Sequence, residues 1–179
     1  VFGAESRNQF IESKVSNIES VNWINNNLNS STNTLIMGLS GWYYMDHPWR
    51  VGAPAYQGEL QYHLMTNSGE LFDNLSELGV THILLQGRVG VSSQFIDHAN
   101  DSYGERYLID DLNVLQDSSE QPVNTRVEFE ARPYILMALL EKEGNLKRIY
   151  VGDEDVVKSR TFGNTEVAEF SVFEIIDDK

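Results

Sequence analysis

The sequence predicts an α/β fold: a layered domain with a parallel βαβ core and a C-terminal antiparallel strand meander. Apolar runs at residues 34–39 and 80–85 are bounded by turn residues, which is typical of strands buried on both faces. Each run follows a segment with apolar residues at helical spacing. Residues 167–176 partly alternate between apolar and polar side chains, as half-buried antiparallel strands do.

The βαβ core is predicted over residues 8–86. Apolar spacing of three and four predicts a helix over residues 8–28, ahead of the first strand. The aromatic residues 42–45 are expected to be extended, and Gly52 is expected to interrupt regular structure soon after. A helical turn is predicted over residues 59–65.

The second half of the core begins with a helix capped at Ser68 and ended by Gly79. Leu71 and Leu75 belong to its apolar stripe. The strand at residues 80–85 follows at once. Helix, glycine and apolar strand form half of a βαβ unit, which predicts that the two strands are parallel.

Residues 87–130 are predicted to be a loop-rich insertion, and residues 131–179 a helix followed by antiparallel strands. The helix is expected from about Pro133 to Glu143, with Gly144 ending it. The strands are predicted at residues 147–151, 156–162 and 167–176. The chain of 179 residues is expected to form a single domain.

Composition excludes several classes of function. The chain has 13 Lys and Arg against 27 Asp and Glu, a formal net charge of −14, which disfavours binding to nucleic acid and to anionic lipid. It has no cysteine, so disulfides, thiolate metal sites and cysteine nucleophiles are excluded.

No sequence motif indicates a catalytic, metal or cofactor site. The chain has no GxSxG, GxGxxG or P-loop pattern, and its histidines and acidic clusters lack ligand spacing. His82 begins a predicted buried strand and is interpreted as structural. Ser40 follows a buried strand, and His47 and His63 flank the aromatic segment, so a nucleophile–base pair is a minority hypothesis.

The aromatic segment is the most informative stretch for function. Its large rings alternate with polar side chains, a mixture that suits contact with a sugar or a peptide and equally suits a loop anchored by its own rings. The candidate sugar or acceptor contacts are Trp42, Tyr44, His47, Trp49 and Arg50. An ion pair within the domain is the preferred interpretation of Arg50, with phosphate binding as the alternative.

Three Asn-X-Ser glycosylation sequons are present, at Asn29, Asn74 and Asn100. Because Asn74 falls inside a predicted helix, the matches are interpreted as accidental.

Several segments together resemble one protein family. They are Val21-Asn22-Trp23-Ile24-Asn25, residues 34–39, Gly41-Trp42-Tyr43-Tyr44-Met45-Asp46-His47-Pro48, Leu78-Gly79-Val80-Thr81-His82-Ile83-Leu84 and Ser159-Arg160-Thr161. This set resembles the soluble C-terminal extracytoplasmic domain of polytopic membrane glycosyltransferases, the relatives of dolichyl-phosphate-mannose–protein mannosyltransferases and lipid A aminoarabinose transferases. The resemblance covers residues 8–86 and, more loosely, residues 133–176.

The resemblance implies a non-catalytic domain that helps to position the acceptor or the lipid-linked sugar. In that family a polyprenyl-phosphate sugar is the donor, and the catalytic acid lies between early membrane helices, so no catalytic residue is expected in this chain. The expected partners are the membrane-embedded part of the same polypeptide and a glycan or polyprenyl-phosphate sugar. Because the chain opens with Val1, we expect it to follow the last membrane span, on the extracytoplasmic side.

Two hypotheses from other classes stay open at the level of the sequence. One is a free-standing α/β hydrolase or transferase with a cleft beyond the two buried strands. The other is a protein-interaction module that dimerises through its C-terminal strands.

Overall fold

A computed structural model of the chain describes residues 18–37, 42–52, 59–87, 126–152, 155–158 and 165–177. The predicted helical residues 8–17, the turn around Ser40 and most of the predicted insertion, residues 88–125, lie outside the described residues.

The described elements alternate between helices and strands in the first half of the chain, and strands dominate the end. The helices are α1 (Ile18–Asn27), α2 (Ser68–Glu77) and α3 (Arg126–Lys142), with short 3-10 helices at Trp42–Tyr44 and Tyr62–Leu64. The strands are β1 (Thr34–Met37), β2 (Trp49–Val51), β3 (His82–Gly87), β4 (Leu146–Val151), β5 (Asp155–Lys158) and β6 (Thr165–Ile175).

The strands form a mixed sheet with the order β2-β1-β3-β6-β4, and β5 pairs with β6. β1 is parallel to both β2 and β3, and β6 is antiparallel to β3, β4 and β5. β4 pairs with the C-terminal half of β6 and β5 with its N-terminal half. The predicted α/β fold, with a parallel core and antiparallel C-terminal strands, is therefore confirmed.

β1 lies at the centre of two apolar layers. Its four residues are at most 1% exposed. Leu35 and Met37 face the layer that contains α2 and α3, and Ile36 faces the layer that contains α1. Alternate side chains of one strand point to opposite faces of a sheet, so β1 needs a cover on both sides. The interpretation of residues 34–39 as a doubly buried strand is confirmed for residues 34–37.

The cap of helix α2 lies one residue before the predicted one. The side chain of Asn67, not of Ser68, accepts a hydrogen bond from the backbone N–H of Glu70 at 3.0 Å. The carboxylate of Glu70 accepts in turn from the backbone N–H of Thr66 at 2.7 Å. Ser68 instead donates its hydroxyl to the carboxylate of Glu143, at 2.8 and 2.9 Å to its two oxygens, and so ties α2 to the end of α3.

Two of the predicted helix ends are confirmed by backbone geometry. Gly79 has φ of +65° and Gly144 has φ of +83°, in the left-handed region where glycine has no steric penalty. The predicted start of α3 is wrong, because the helix begins at Arg126 and Pro133 lies inside it. Residues 131–138 of α3 are all buried, and this burial outweighs the hydrogen bond that a proline removes from a helix.

The region between β1 and α2 also differs from the prediction. Residues Trp42–Tyr44 form a 3-10 helix and are not extended. The strand β2 occupies Trp49–Val51, immediately before Gly52. The predicted helical turn at residues 59–65 is confirmed as the 3-10 helix Tyr62–Leu64.

Gly52 and Tyr62 hold the end of β2 against the sheet. The Tyr62 hydroxyl donates to the carbonyl oxygen of Gly52 at 2.9 Å. Burial of that hydroxyl, with a smaller effect of nearby Tyr134, raises the pKa of Tyr62 well above its usual range, so it stays a donor. A Cβ on Gly52 would lie 2.5 Å from the sulfur of Met37 and 2.6 Å from Cγ of Leu35.

No helix in the described part of the chain has the length and apolar character needed to cross a bilayer.

Gly52→Ala is expected to destabilise the protein by about 1–3 kcal/mol, because two buried side chains of β1 must move to admit the methyl group. Urea unfolding measures the change. Gly69→Ala, on the exposed first turn of α2, is the control and is expected to cost less, because its Cβ would lie 3.1 Å from a single atom, Oδ1 of Asn67. Equal stability of the Gly52→Ala variant and the native protein would contradict the close packing described for this corner.

His82 is half-buried at the start of β3, where its Nδ1 lies 2.9 Å from the hydroxyl of Thr81. It pairs across the sheet with Glu174 of β6. Burial lowers the pKa of His82 below its ordinary 6.5, and the carboxylate of Glu174 opposes part of that effect.

The free energy of unfolding is expected to rise with pH between the folded-state pKa of His82 and about 6.5. In that window the unfolded chain binds the proton and the folded chain does not, so acid favours unfolding. His82→Gln should flatten this part of a pH–stability curve measured by urea unfolding. If the pH–stability curve of His82→Gln has the same slope as that of the native protein, the pH dependence does not arise from His82.

Candidate functional site

The aromatic segment forms the return path between two parallel strands. Because β2 is parallel to β1, the chain must travel back along the sheet before β2 can begin. Tyr44, Met45 and Trp49 pack against the apolar cluster that α1 builds on its face of the sheet. A short 3-10 helix and its flanking residues thus cover a surface that a longer crossover helix usually covers.

Asn25, in the last turn of α1, fixes this return path. Its side-chain Nδ2 donates to the backbone carbonyl of Tyr44 at 2.9 Å, and its Oδ1 accepts from the backbone N–H of Asp46 at 2.9 Å. One amide group therefore satisfies two backbone groups on either side of Met45. We call this arrangement the Asn25 clamp.

Tyr43 is the exposed ring of the segment. Its side chain is 79% exposed, and its ring meets that of Tyr44 edge-on, with 5.8 Å between the centroids. Asp46 is exposed two residues after Tyr44. An accessible aromatic ring offers an apolar face, and an exposed carboxylate three residues later in the chain offers a hydrogen-bond acceptor. We call Tyr43, Tyr44 and Asp46 the Tyr43 surface.

The structure does not bring the five predicted contact residues into one patch. Tyr44 and Trp49 are half-buried and pack on the α1 side. The register pairs Trp49 with Thr34 and Arg50 with Leu35, so Trp49 and Arg50 point to opposite faces of the sheet. The side chain of Trp42 lies outside the described residues.

Arg50 forms an ion pair within the domain. Its guanidinium Nη1 contacts the carboxylate of Glu59, which is the interpretation preferred from the sequence. The side chain of Arg50 is 34% exposed, so the pair is partly screened by solvent and contributes little to stability. Binding of a phosphate by Arg50 would have to compete with this contact.

Polar atoms without partners lie at the amino ends of β1 and β2. Thr34 Oγ1 and His47 Nε2 are enclosed and have no hydrogen-bond partner within the described part of the chain. The backbone N–H of Thr34 donates to the carbonyl of Pro48 at 2.9 Å, which places the two segments side by side. Each unsatisfied buried polar atom costs about 1–3 kcal/mol.

The nucleophile–base hypothesis stays a prediction, because its Ser40 is not among the described residues. Segments that pack on opposite faces of the sheet carry the two histidines: His47 lies between Met45 and Trp49, and His63 follows Tyr62 of the other cluster. Ser40 lies outside the described residues. Among the residues that the structure does describe, no three His, Asp or Glu side chains gather as a metal site requires.

A second asparagine joins the end of α2 to the start of β1. Asn33 Nδ2 donates to the carbonyl of Leu78 at 3.1 Å, and its backbone carbonyl accepts from the N–H of Thr81 at 2.9 Å. The backbone N–H of Asn33 also donates to the hydroxyl of Thr81 at 3.1 Å. Asn25 thus connects α1 to the aromatic segment, and Asn33 connects the start of β1 to the α2–β3 junction.

Sequence reasoning missed Tyr43 and Asn25. The aromatic composition singled out the segment, but only the 3-10 helix determines that Tyr44 packs inward while Tyr43 is exposed. Asn25 carried a signal in the sequence, because it ends the Trp23-Ile24-Asn25 motif that contributes to the resemblance.

Comparison with known proteins found no matching family model, no matching curated protein and no matching solved structure.

Asn25→Ala is expected to lower the free energy of unfolding by about 1 kcal/mol, because the part-buried carbonyl of Tyr44 and the exposed N–H of Asp46 lose their partner. Hydrogen exchange at the amide of Asp46 should accelerate, which reports on the clamp directly. Asn27→Ala is the matched control in the same helix turn, since Asn27 is exposed and bonds only to the carbonyl of Trp23. Unchanged exchange at Asp46 would argue against the clamp.

Proposed function

We propose that this chain is a non-catalytic extracytoplasmic domain of an integral-membrane glycosyltransferase, and that it helps to position the acceptor. The observation that supports this most is the connection between the resembling segments. Asn25 of the first segment bonds to Tyr44 and Asp46 of the third, and Asn33, directly before residues 34–39, bonds to Leu78 of the fourth. These contacts support the proposal that the resembling segments act as one unit.

The Tyr43 surface is the proposed contact with carbohydrate. Sugar rings stack their C–H faces on aromatic rings, and their hydroxyls donate to carboxylates. Tyr43 and Asp46 present these two groups in an exposed position, and the Asn25 clamp holds the backbone between them. A held surface loses less conformational entropy on binding than a loose loop does. Trp49 packs against the same apolar cluster as Tyr44 and Met45. Arg50 forms its ion pair with Glu59 and is not part of the proposed contact.

Charge favours the acceptor over the donor as the ligand. The chain carries a formal net charge of −14, and Asp46 adds a carboxylate at the proposed contact. A polyprenyl-phosphate sugar is anionic and is repelled by such a surface, whereas a neutral or cationic sugar is not. The membrane-embedded part of the same polypeptide is the proposed source of the catalytic acid and of the donor site.

Millimolar mannose oligosaccharide is expected to shift the backbone resonances of residues 43–46 in a heteronuclear NMR titration. Tyr43→Ala should abolish these shifts without loss of stability, because the ring is exposed. Leu64→Ala removes another exposed apolar side chain, 64% exposed and placed after Tyr62 of the opposite cluster, and is the matched control. Absence of shifts at millimolar sugar would remove the carbohydrate contact from the proposal.

A parallel titration with short-chain polyprenyl-phosphate mannose separates the two possible ligands. Weaker shifts than those produced by the neutral oligosaccharide are expected. Stronger shifts would contradict the charge argument and assign the surface to the donor.

A further inference from the structure

The loop between α1 and β1 carries one of the three glycosylation sequons, Asn29-Ser30-Ser31. All three residues are exposed. The backbone carbonyl of Asn29 accepts from the N–H of Thr32 at 3.0 Å, which closes a turn directly after the helix. The sequon therefore lies on an outward-facing turn and outside any helix or strand.

The acceptor groups of this sequon are presented together. The side-chain oxygen of Asn29 accepts from the backbone N–H of Ser31 at 2.9 Å and also contacts the Ser31 hydroxyl. This Asx turn places the amide and the hydroxyl that define a sequon on the same side of the backbone. The Nδ2 atom of Asn29, where a glycan attaches, has no hydrogen-bond partner within the ranges that the structure describes.

The sequon at Asn74 is less accessible than the sequon at Asn29. Asn74 lies within α2, and its Nδ2 donates to the carbonyl of Glu70 at 2.6 Å. The middle residue of that sequon, Leu75, is fully buried. A glycosylating enzyme would have to unwind α2 and extract Leu75 from the core to reach this asparagine. The sequon at Asn100 lies outside the described residues.

We propose that Asn29 is an N-glycosylation site and that Asn74 is not. The inference rests on the proposed extracytoplasmic location, because the turn must face the compartment where glycans are transferred. From the sequence alone, all three sequons are interpreted as accidental. Because Asn29 is exposed, we replace that interpretation for this one sequon.

The reaction needs a lipid-linked oligosaccharide and an oligosaccharyltransferase as co-reactants. Nδ2 of Asn29 attacks C1 of the first sugar and loses a proton to the enzyme's base. A C–N bond forms, the bond between C1 and the lipid phosphate oxygen breaks, and the polyprenyl pyrophosphate leaves with the electron pair.

The test is glycosylation of the folded chain by a purified oligosaccharyltransferase with a polyprenyl-pyrophosphate oligosaccharide, read by intact mass and peptide mapping. A glycan is expected at Asn29, and peptide mapping separates it from any glycan at Asn100. Asn29→Gln and Ser31→Ala should each abolish it, Ser31→Thr should retain it, and Asn74→Gln, the matched control, should leave it unchanged. Thermal unfolding of each variant verifies that the fold is intact.

A synthetic peptide of residues 26–34 serves as the positive control for the enzyme. Modification of the peptide but not of the folded chain would overturn the proposal, as would a glycan at Asn74 of the folded chain. These outcomes test only whether Asn29 can be modified, because a reaction with purified enzyme does not depend on where the protein lies in the cell. The carbohydrate titration of the Tyr43 surface tests the proposed function separately, and a failure there leaves the Asn29 result standing.

Discussion

The need to cover β1 on both faces governs the architecture. A strand whose four residues are at most 1% exposed must have an apolar layer on each side. α2 and α3 supply one layer, and α1 supplies only part of the other. The return path to β2 supplies the remainder through Tyr44 and Met45. Because those two residues pack inward along a 3-10 helix, the neighbouring Tyr43 is left exposed.

The last turn of α1 lies next to both proposed sites, the Tyr43 surface and the sequon at Asn29. Asn25 holds the Tyr44 carbonyl and the Asp46 amide, and four residues later Asn29 opens the exposed turn that leads into β1. Among the strands that the structure describes, β4 is an edge strand of the sheet, and its exposed Lys147 and Arg148 are typical of an edge protected against pairing with another chain. That edge gives little support to dimerisation through the C-terminal strands.

Local chemistry explains which elements could be predicted from the sequence. A doubly buried strand is recognised from its continuous run of apolar residues. The ends of α2 and α3 are recognised from a single glycine each, which adopts a positive φ. β2 is three residues long, too short for any periodicity, and depends on close approach at Gly52. α3 retains Pro133 because tertiary burial outweighs local preference. The aromatic segment could be singled out from its composition, but which of its rings face outward depends on the crossover geometry and on the Asn25 clamp.

The origin of the chain in a larger membrane enzyme is tested most directly by an immunoblot of native cells with an antibody raised against these residues. The account predicts a polypeptide far larger than 20.3 kDa that stays in the membrane fraction after alkaline carbonate washing and is released only by detergent. A 20.3 kDa band recovered wholly in the supernatant would contradict the account.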